Sequence, residues 1–268
     1  MRLNSVLITV LVIVSASLLY FVNYLSTFSR LIAVDIKPHD TRDYGRNLSN
    51  EISVDSLFLY RAYVYSSTTS TLIRVFSINQ CVKSDWKLEG VVNNNEVRFR
   101  ARPIEGSCPW RWAPGCEYNS YVLDASSKNS FDNISHITLF KDGKMLALPL
   151  QRIPTRTKGT LNVCVPPIYW KFTDWIRIIF FLETWRAQGA NHVFLYYHSS
   201  TNNVRKVLDN YGKQGFVTII PWPSLPKNSI VDPNKSVYRL AHSLAHNDCI
   251  LRIGSEFGAL VDIDELII

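Results

Sequence analysis

The alternation of apolar runs with amphipathic segments after residue 160 constrains the fold more than any other feature of this sequence. Short apolar runs rich in Val, Ile and aromatic residues are typical of buried strands, and apolar residues at helical spacing are typical of helices. Strands that alternate with helices predict a parallel sheet covered by those helices. In chain order the predicted elements are a strand over 161–165, a helix over 175–185 capped by Thr173 and ended by Gly189, a strand over 192–198, a helix over 203–211 ended by Gly212, a strand over 216–220, a helix over 237–249 and a strand that runs into Asp262.

The last predicted strand ends in a group of carboxylates, Asp262, Asp264 and Glu265. Alternate residues of a strand point to the same side, so we expect Asp262 and Asp264 to converge. A divalent cation that already holds phosphates needs only one or two protein carboxylates. The pair is interpreted either as a metal site for a nucleotide-sugar diphosphate or as an acidic cluster that ends a strand at the surface. Because ligands of parallel sheets bind beyond the carboxyl ends of the strands, its position favours the metal site.

Residues 51–155 carry a different pattern, in which runs of strand-forming residues alternate with turn signals. Asn93-Asn94-Asn95 predicts a hairpin, and Asp142-Gly143 is a strong signal for a tight turn. The sequence therefore predicts a small mostly-β domain over 51–155. A linker over 152–160 leads into an α/β domain, which we assign to residues 156–268.

The N-terminal segment predicts a membrane anchor, because residues 3–29 contain no charged side chain. A helix needs about 20 apolar residues to span a bilayer, whereas the apolar region of a signal peptide has only about 7–15. We therefore predict an uncleaved transmembrane signal anchor in the lipid bilayer over residues 6–25, with a cytoplasmic tail at 1–5 and a stem over 26–50. Acceptor sequons at Asn47, Asn133 and Asn234 agree with a lumenal glycoprotein.

Charge and cysteine usage narrow the class of partner and the compartment. A net charge of +7 is interpreted either as general solubility or as a sign of an anionic partner, such as a membrane surface or a phosphate-bearing substrate. The sequence has no long Lys/Arg tract with interleaved aromatic residues, which argues against nucleic acid. In a lumenal protein the five cysteines are expected to form disulfides, and a bridge between Cys108 and Cys116 would close the turn-rich loop between them. Five is an odd number, so the sequence leaves the pairing open.

Several motifs, taken together and in order, resemble glycosyltransferase family 92. The resemblance covers roughly residues 51–268 and is carried by Val163 to Trp170, Trp185-Arg186 with Gly189-Ala190, Phe194 to His198, Val207-Leu208 with Tyr211 and Gly215, Trp222-Pro223, His246 to Cys249 and Val261 to Glu265. It implies a single-pass type II enzyme of the Golgi membrane with a lumenal body and a GT-A (Rossmann-like) fold.

The resemblance also implies an activity, namely the Mn²⁺-dependent transfer of galactose from UDP-galactose to a glycan acceptor (fucose on N-glycan cores), with inversion at the anomeric carbon. On this interpretation Asp262 and Asp264 hold Mn²⁺, which acts as a Lewis acid on the departing UDP. Arg252 is a candidate partner of the diphosphate, and its alternative interpretation is a surface arginine. Pro166 and Tyr169 are candidate walls of the uracil site, and their alternative is a packed loop.

Other polar residues near these motifs receive structural interpretations. His242 and His246 are four residues apart on a predicted helix, but no glutamate follows His242 as in a HExxH site. We therefore interpret both histidines as structural or surface residues. Asp248 is expected to join a polar network near the site, and Glu265 is expected to orient its neighbours.

The sequence departs from the family pattern after the aspartates. A GT-A domain is longer than the segment from residue 161 to residue 268, so we expect a partial domain that is truncated after the aspartate motif. An inverting transferase needs a base to take the proton of the acceptor hydroxyl, and the sequence assigns none. The alternative hypothesis is therefore an inactive lumenal pseudoenzyme or an interaction protein.

Overall fold

The computed structural model describes residues 53–54, 57–67, 70–81, 87–106, 115–127, 134–141, 143–227 and 232–266. The predicted tail, anchor and stem over 1–50 lie outside the described residues, as do the sequons at Asn47 and Asn133. In the part of the chain that is described, no helix is long and apolar enough to cross a membrane.

The first part of the described chain is built from strands alone, which confirms the prediction of a β-rich domain. Its strands are β1 (Ser53–Val54), β2 (Leu57–Ser66), β3 (Thr71–Gln80), β4 (Lys87–Val92), β5 (Asn95–Pro103), β6 (Tyr118–Ser127), β7 (His136–Lys141) and β8 (Lys144–Arg152). They pair in the order β1-β2-β3-β6-β5-β4-β7-β8, and β8 pairs with β2 as well. This last pairing is parallel and closes β2 to β8 into a barrel. The barrel is filled by a cluster of aliphatic side chains with Phe99 and Tyr121.

The hairpin between β4 and β5 turns where the sequence predicts it. Val92 pairs with Asn95, so Asn93 and Asn94 form a two-residue turn. Both have positive φ, 47° and 62°, which is the conformation of a type I′ turn and one that asparagine tolerates better than most residues.

A β-bulge in β2 directs two neighbouring side chains out of the barrel. The pairing of β2 with β3 shifts between Leu59 and Arg61. Leu59 and Ala62 lie inside the barrel core, whereas Tyr60 and Arg61 between them make their contacts on the outer side. Bulges of this kind re-aim side chains, and this one presents an aromatic ring and a guanidinium to the second part of the chain.

The second part is the predicted parallel sheet with helices on both faces. Its strands are β9 (Thr157–Ile168), β10 (His192–Tyr197), β11 (Val217–Pro221) and β12 (Ser255–Leu260), and its helices are α1 (Trp175–Ala187), α2 (Asn202–Lys213) and α3 (His242–Arg252). The strand order is β11-β10-β9-β12, with every pairing parallel. The chain therefore adds strands in one direction from β9 and then reverses to place β12 on the other side of β9. This reversal is the topological switch point of the sheet.

Several predicted boundaries of this sheet are wrong. β9 begins at Thr157 rather than 161, because Thr157 pairs with Ser255 of β12. β9 also runs through Pro166-Pro167, where its pairing with β10 shifts. Proline is tolerated at such a bulge because its missing N–H is not needed for the ladder of hydrogen bonds there. At the other end of the sheet, β12 stops at Leu260, two residues before Asp262.

The predicted helix ends also need correction. Asp174, not Thr173, caps α1, because its carboxylate accepts a hydrogen bond from the backbone N–H of Arg177 at 3.0 Å. α2 continues through Gly212 to Lys213 and is followed by Gly215 with φ of 75°. α3 begins at His242 rather than near residue 237, because residues 239–241 have left-handed backbone.

Two cores hold the sheet, one on each face. α1 and α2 cover one face and enclose residues such as Val163, Phe181 and Trp185. α3 covers the other face, where it meets the outer side of the barrel in a single cluster that includes Tyr63 and Leu244. The barrel and the sheet thus share a core and form one packed body.

The described cysteines resolve part of the disulfide pattern. Cys164 of β9 is bonded to Cys249 of α3, which ties the helix to the sheet. Cys81 is also disulfide-bonded, and Cys116 is a free thiol. Of the pairings that the sequence left open, a bridge between Cys108 and Cys116 is therefore not formed.

The sequon at Asn234 has a structural role of its own. The Asn234 amide donates to the carbonyl oxygen of Leu225 at 2.8 Å and accepts from the N–H of the same residue at 2.7 Å. A glycan at Asn234 would replace one of the two Nδ2 hydrogens, which donate to Leu225 and Asp232.

Candidate functional site

The carboxyl ends of β9 and β12 border a cleft of about 400 Å³ at the switch point of the sheet. We call it the switch-point cleft. It is lined by Val165, Pro166, Pro167, Ile168, Tyr169, Phe172, Arg239, His242, Asp262, Ile263 and Asp264. Four of the five candidate site residues of the sequence, namely Pro166, Tyr169, Asp262 and Asp264, therefore lie around one opening, at the position where ligands of such sheets bind.

The two aspartates are carried by a turn rather than by a strand. The N–H of Glu265 donates to the carbonyl oxygen of Asp262 at 3.0 Å, which closes a turn over residues 262–265. The Glu265 carboxylate accepts a hydrogen bond from the N–H of Asp262 at 2.8 Å. Convergence of Asp262 and Asp264 as alternate strand residues is thus the wrong reason for their proximity to the cleft, whereas the orienting role expected for Glu265 is observed.

The turn is fixed to the sheet by contacts on both sides. The N–H of Val261 donates to the carbonyl oxygen of Cys164 at 3.1 Å, so the parallel ladder continues one residue beyond β12. Ile263 packs against the core under α1, and the indole N–H of the fully buried Trp185 lies 3.4 Å from the carbonyl oxygen of Glu265. A tryptophan assigned only to the core thus also supports the aspartate turn.

Arg239 and His242 are cleft residues that the sequence reasoning missed. The Nε2 atom of His242 lies 3.7 Å from a carboxylate oxygen of Asp262, and the His242 ring packs against His246 at 4.5 Å between centroids. Burial lowers the pKa of His242, and the nearby Arg239 guanidinium lowers it further while the Asp262 carboxylate opposes both. His242 is therefore a neutral imidazole at neutral pH. The spacing of four residues between His242 and His246 was the sequence signal that could have identified His242 as a site residue.

A left-handed segment aims Arg239 at the cleft and delays the start of α3. Arg239, Leu240 and Ala241 have φ angles of 43°, 50° and 59°. Left-handed conformation costs a non-glycine residue roughly 1–2 kcal/mol, and such strain persists where contacts with the surrounding structure enforce it. Leu240 packs with the core beneath α3, while Arg239 remains exposed at the rim of the cleft.

Arg252, the fifth candidate residue, does not line the cleft. Its guanidinium donates to the carboxylate of Asp248 at 3.1 Å, one turn earlier on α3. Burial lowers the pKa of Arg252 while the Asp248 charge raises it, and the net direction is upward. This arginine is committed to a buried ion pair.

Asp248 is the centre of a charge network between the barrel and the sheet, as the sequence suggested. Its side chain is fully buried and accepts hydrogen bonds from the hydroxyls of Tyr63 at 2.7 Å and Tyr196 at 2.5 Å. The Nε atom of Arg61, from the bulge in β2, lies 3.4 Å from the same carboxylate. Burial and the Asp248 charge together raise the pKa of both tyrosine hydroxyls. The network joins β2, β10 and α3.

The cleft offers a limited set of ligands to a metal ion. No group of three or more His, Cys, Asp or Glu side chains is placed to hold a metal among the described residues. The cleft does contain two carboxylates, Asp262 and Asp264, and a hard divalent cation bound with substrate phosphates requires no more from the protein. These residues fit a cation that arrives with a diphosphate rather than an all-protein cage.

A second, smaller cavity of about 70 Å³ lies between the barrel and the sheet. Its walls include Phe58, Tyr60, Trp222 and Leu244, and the described residues that line it include no carboxylate. It offers no carboxylate ligand to a cation, so the switch-point cleft is the stronger candidate for a phosphate-bearing ligand.

Comparison with known proteins finds similarity to one family. Residues 159–268 match the family model of glycosyltransferase family 92. The Caenorhabditis elegans glycosyltransferase family 92 protein F13G3.3 is 24% identical over 270 residues, which cover 96% of this chain and 50% of that protein. A second relative from the same organism, glycosyltransferase family 92 protein F55C10.4, is 23% identical over 225 residues, which cover 79% of this chain and 42% of its own length. The chain thus spans half or less of the length of these two curated relatives. No solved structure matches it.

Proposed function

We propose that this chain, whose residues 159–268 belong to glycosyltransferase family 92, binds a nucleotide-sugar donor in the switch-point cleft and transfers its hexose to a glycan. The observation that carries the proposal is the meeting of Pro166, Tyr169, Asp262 and Asp264 around one opening at the switch point. These residues come from the ends of β9 and β12, and all four lie within the part of the chain that matches the family.

The proposal assigns the two carboxylates to a divalent cation. Asp262 and Asp264 would hold Mn²⁺, which when bound neutralises charge on the departing diphosphate. The Asp262–Glu265 turn is held by its own hydrogen bonds and by Trp185, so the carboxylates are presented from a fixed backbone. Such preorganisation avoids the cost of ordering the backbone of this turn when the donor binds.

Walls and charge partners for the rest of the donor follow from the same cleft. Pro166 is buried and Tyr169 half-buried, and together they offer a flat apolar wall to a base such as uracil. Arg239, rather than the ion-paired Arg252, is the guanidinium available at the cleft for the diphosphate. We take UDP-galactose as the donor and inversion as the stereochemical course, in keeping with the resemblance of the motifs.

The proposal also places the body of the protein in the Golgi lumen, anchored in the membrane by residues 6–25. The Cys164–Cys249 disulfide supports an oxidising compartment, because disulfides persist there and are rare in the cytosol. The long apolar run of the sequence supports the anchor.

Titration of UDP in the presence of Mn²⁺ tests the donor site directly. We expect saturable binding by the full chain, and a loss of roughly tenfold or more in UDP affinity for Asp262→Asn and for Asp264→Asn. Asp209→Asn is a matched control, because Asp209 is a half-exposed aspartate that pairs with Arg205 on α2, away from the cleft. Equal UDP affinity in wild type and both cleft variants would refute the metal assignment.

Transfer is tested separately, with radiolabelled UDP-galactose and N-glycan acceptors. Mn²⁺-dependent incorporation that Asp262→Asn abolishes would support the enzyme. UDP binding without any transfer would instead favour the alternative that the chain is an inactive lumenal binding protein.

A further inference from the structure

Trp170 is the most exposed large apolar side chain in the described part of the protein, at 84% of its full exposure. It directly follows Tyr169, which lines the switch-point cleft. The six residues before it, from Cys164, are buried or half-buried, so the exposure begins abruptly at the end of β9. An indole left in water gives up the stabilisation that its burial would provide, and this loss calls for an explanation.

The backbone at Trp170 is held in an unfavourable conformation. Trp170 and Lys171 have φ angles of 56° and 54°, and neither is a glycine. Left-handed backbone is rare for bulky residues and persists only where neighbouring contacts enforce it. The strained backbone at Trp170 thus holds the indole ring in an exposed position.

Contacts with the loop after β10 enforce that conformation. The N–H of Lys171 donates to the hydroxyl of Ser199 at 3.3 Å, and the N–H of Thr201 donates to the carbonyl oxygen of Phe172 at 2.9 Å. Phe172 also forms a parallel bridge with Ser200. Lys171 and Phe172, the two residues after Trp170, are therefore both anchored to the loop after β10.

The orientation of the ring is set by Tyr169. The two ring centroids are 4.9 Å apart, and their planes meet at 86°, which is a favourable edge-to-face arrangement. Tyr169 lines the cleft and contacts Trp170, so the exposed indole is one ring away from the proposed donor site.

We propose that Trp170 is a stacking platform for the carbohydrate acceptor. The C–H face of a pyranose ring is apolar and packs on a flat aromatic surface, while its hydroxyls remain in water. An exposed indole of fixed orientation suits such a ligand, because little freedom is lost on binding. The inference rests on the proposed function for its choice of ligand, since a transferase needs an acceptor site beside its donor site.

Binding of a carbohydrate to the full chain tests the proposal. The probes are N,N′-diacetylchitobiose and methyl β-D-galactopyranoside. Their binding is measured by saturation-transfer NMR with UDP and Mn²⁺ present. We expect one or both to bind, with the strongest transfer to C–H protons of a ring face. Trp170→Gly should weaken this binding about tenfold, as loss of a central aromatic contact does elsewhere, and Trp170→Phe should restore part of it.

Glycine is the informative substitution because it separates binding from folding. Glycine adopts the left-handed conformation freely, and the Trp170 side chain is exposed, so Trp170→Gly should leave the unfolding temperature unchanged or raise it. Trp175→Ala is the matched control: Trp175 is also exposed, at 41%, but it is the first residue of α1 and, unlike Trp170, does not adjoin the cleft residue Tyr169 in the sequence. We expect it to leave carbohydrate affinity unaltered.

The outcomes distinguish this inference from the proposed donor site. If UDP binds equally well to wild type and Trp170→Gly while carbohydrate binding falls, the platform is supported. If carbohydrate binding is absent or equal in both, the platform is refuted even where UDP binds. If Trp170→Gly lowers the unfolding temperature, the ring has a structural role and the inference also fails. Failure of UDP to bind wild type refutes the donor site by itself.

Discussion

Replacing Asp248 by asparagine should destabilise the protein strongly, because the carboxylate accepts hydrogen bonds from three side chains and forms an ion pair with a fourth. Two tyrosine hydroxyls and the guanidiniums of Arg61 and Arg252 converge on a side chain with no solvent exposure. Asparagine supplies a single acceptor oxygen, and its amide group adds two further donors to a site that already holds only donors. Both arginines would then remain with at most 19% exposure and without a counter-charge.

The expected cost follows from the burial of these charges. Removing one partner of a buried ion pair costs about 3–5 kcal/mol, because the remaining charge stays desolvated. For a chain of this size that loss corresponds to a fall of roughly 10 °C in the unfolding temperature. Because the barrel and the sheet share a core, we expect one transition to move as a whole in a thermal melt followed by far-UV circular dichroism.

A surface ion pair provides the control for Asp248→Asn. Glu89 lies 3.7 Å from Arg98 on the barrel, and both side chains are more than 70% exposed. Glu89→Gln should therefore cost no more than about 1 kcal/mol. The reasoning would be wrong if Asp248→Asn cost less than about 1 kcal/mol, or if the two variants lost similar stability.

Two further predictions concern the sheet and α3. Replacing Cys164 and Cys249 together by alanine should lower the free energy of unfolding by about 4 kcal/mol, since the bridge closes a long loop, with a separation of 85 residues; an unchanged denaturation midpoint would contradict this. Burial, together with the His242 charge, lowers the pKa of His246 to about 4. Below about pH 6.5 this histidine is protonated in the unfolded chain but still neutral in the folded chain. The free energy of unfolding is therefore highest above that pH and falls between pH 6.5 and 4. After allowance for the partial exposure of this ring we expect a loss of about 2 kcal/mol, and His246→Leu should flatten that part of the stability–pH curve; an identical curve for wild type and His246→Leu would contradict the assignment.

Local periodicity was enough to predict the elements of the sheet and the place of the aspartates. The apolar runs of residues 161–165, 192–198 and 216–220 are strands because their side chains fill cores on both faces. Parallel pairing then puts Asp262 at the edge where ligands bind, whatever conformation the last residues adopt. The error about the strand ending at Asp262 therefore did not affect the location of the candidate site.

Features that depend on distant contacts could not be predicted in this way. Asp248 is 185 residues from Tyr63 in the sequence. No local pattern predicts that a bulge in β2 will turn Arg61 toward Asp248. The left-handed backbone at Arg239 is likewise enforced by packing of its neighbours, so residue preferences point away from it. His242 was visible in the sequence, but its contact with Asp262 depends on where α3 begins.

The short connection from barrel to sheet has a consequence for motion. Only four residues, 153–156, separate β8 from β9, and both ends of this connection are hydrogen-bonded: Ile153 N–H to Val64 at 3.3 Å and Thr157 N–H to Gly254 at 2.8 Å. Hinged domains need a connection free to change its backbone angles, and this one is not free. This connection therefore does not act as a hinge between the barrel and the sheet. Opening and closing around a substrate would fall to loops at the rim, and a cut at residue 159 would split β9 and bare the apolar face of α3.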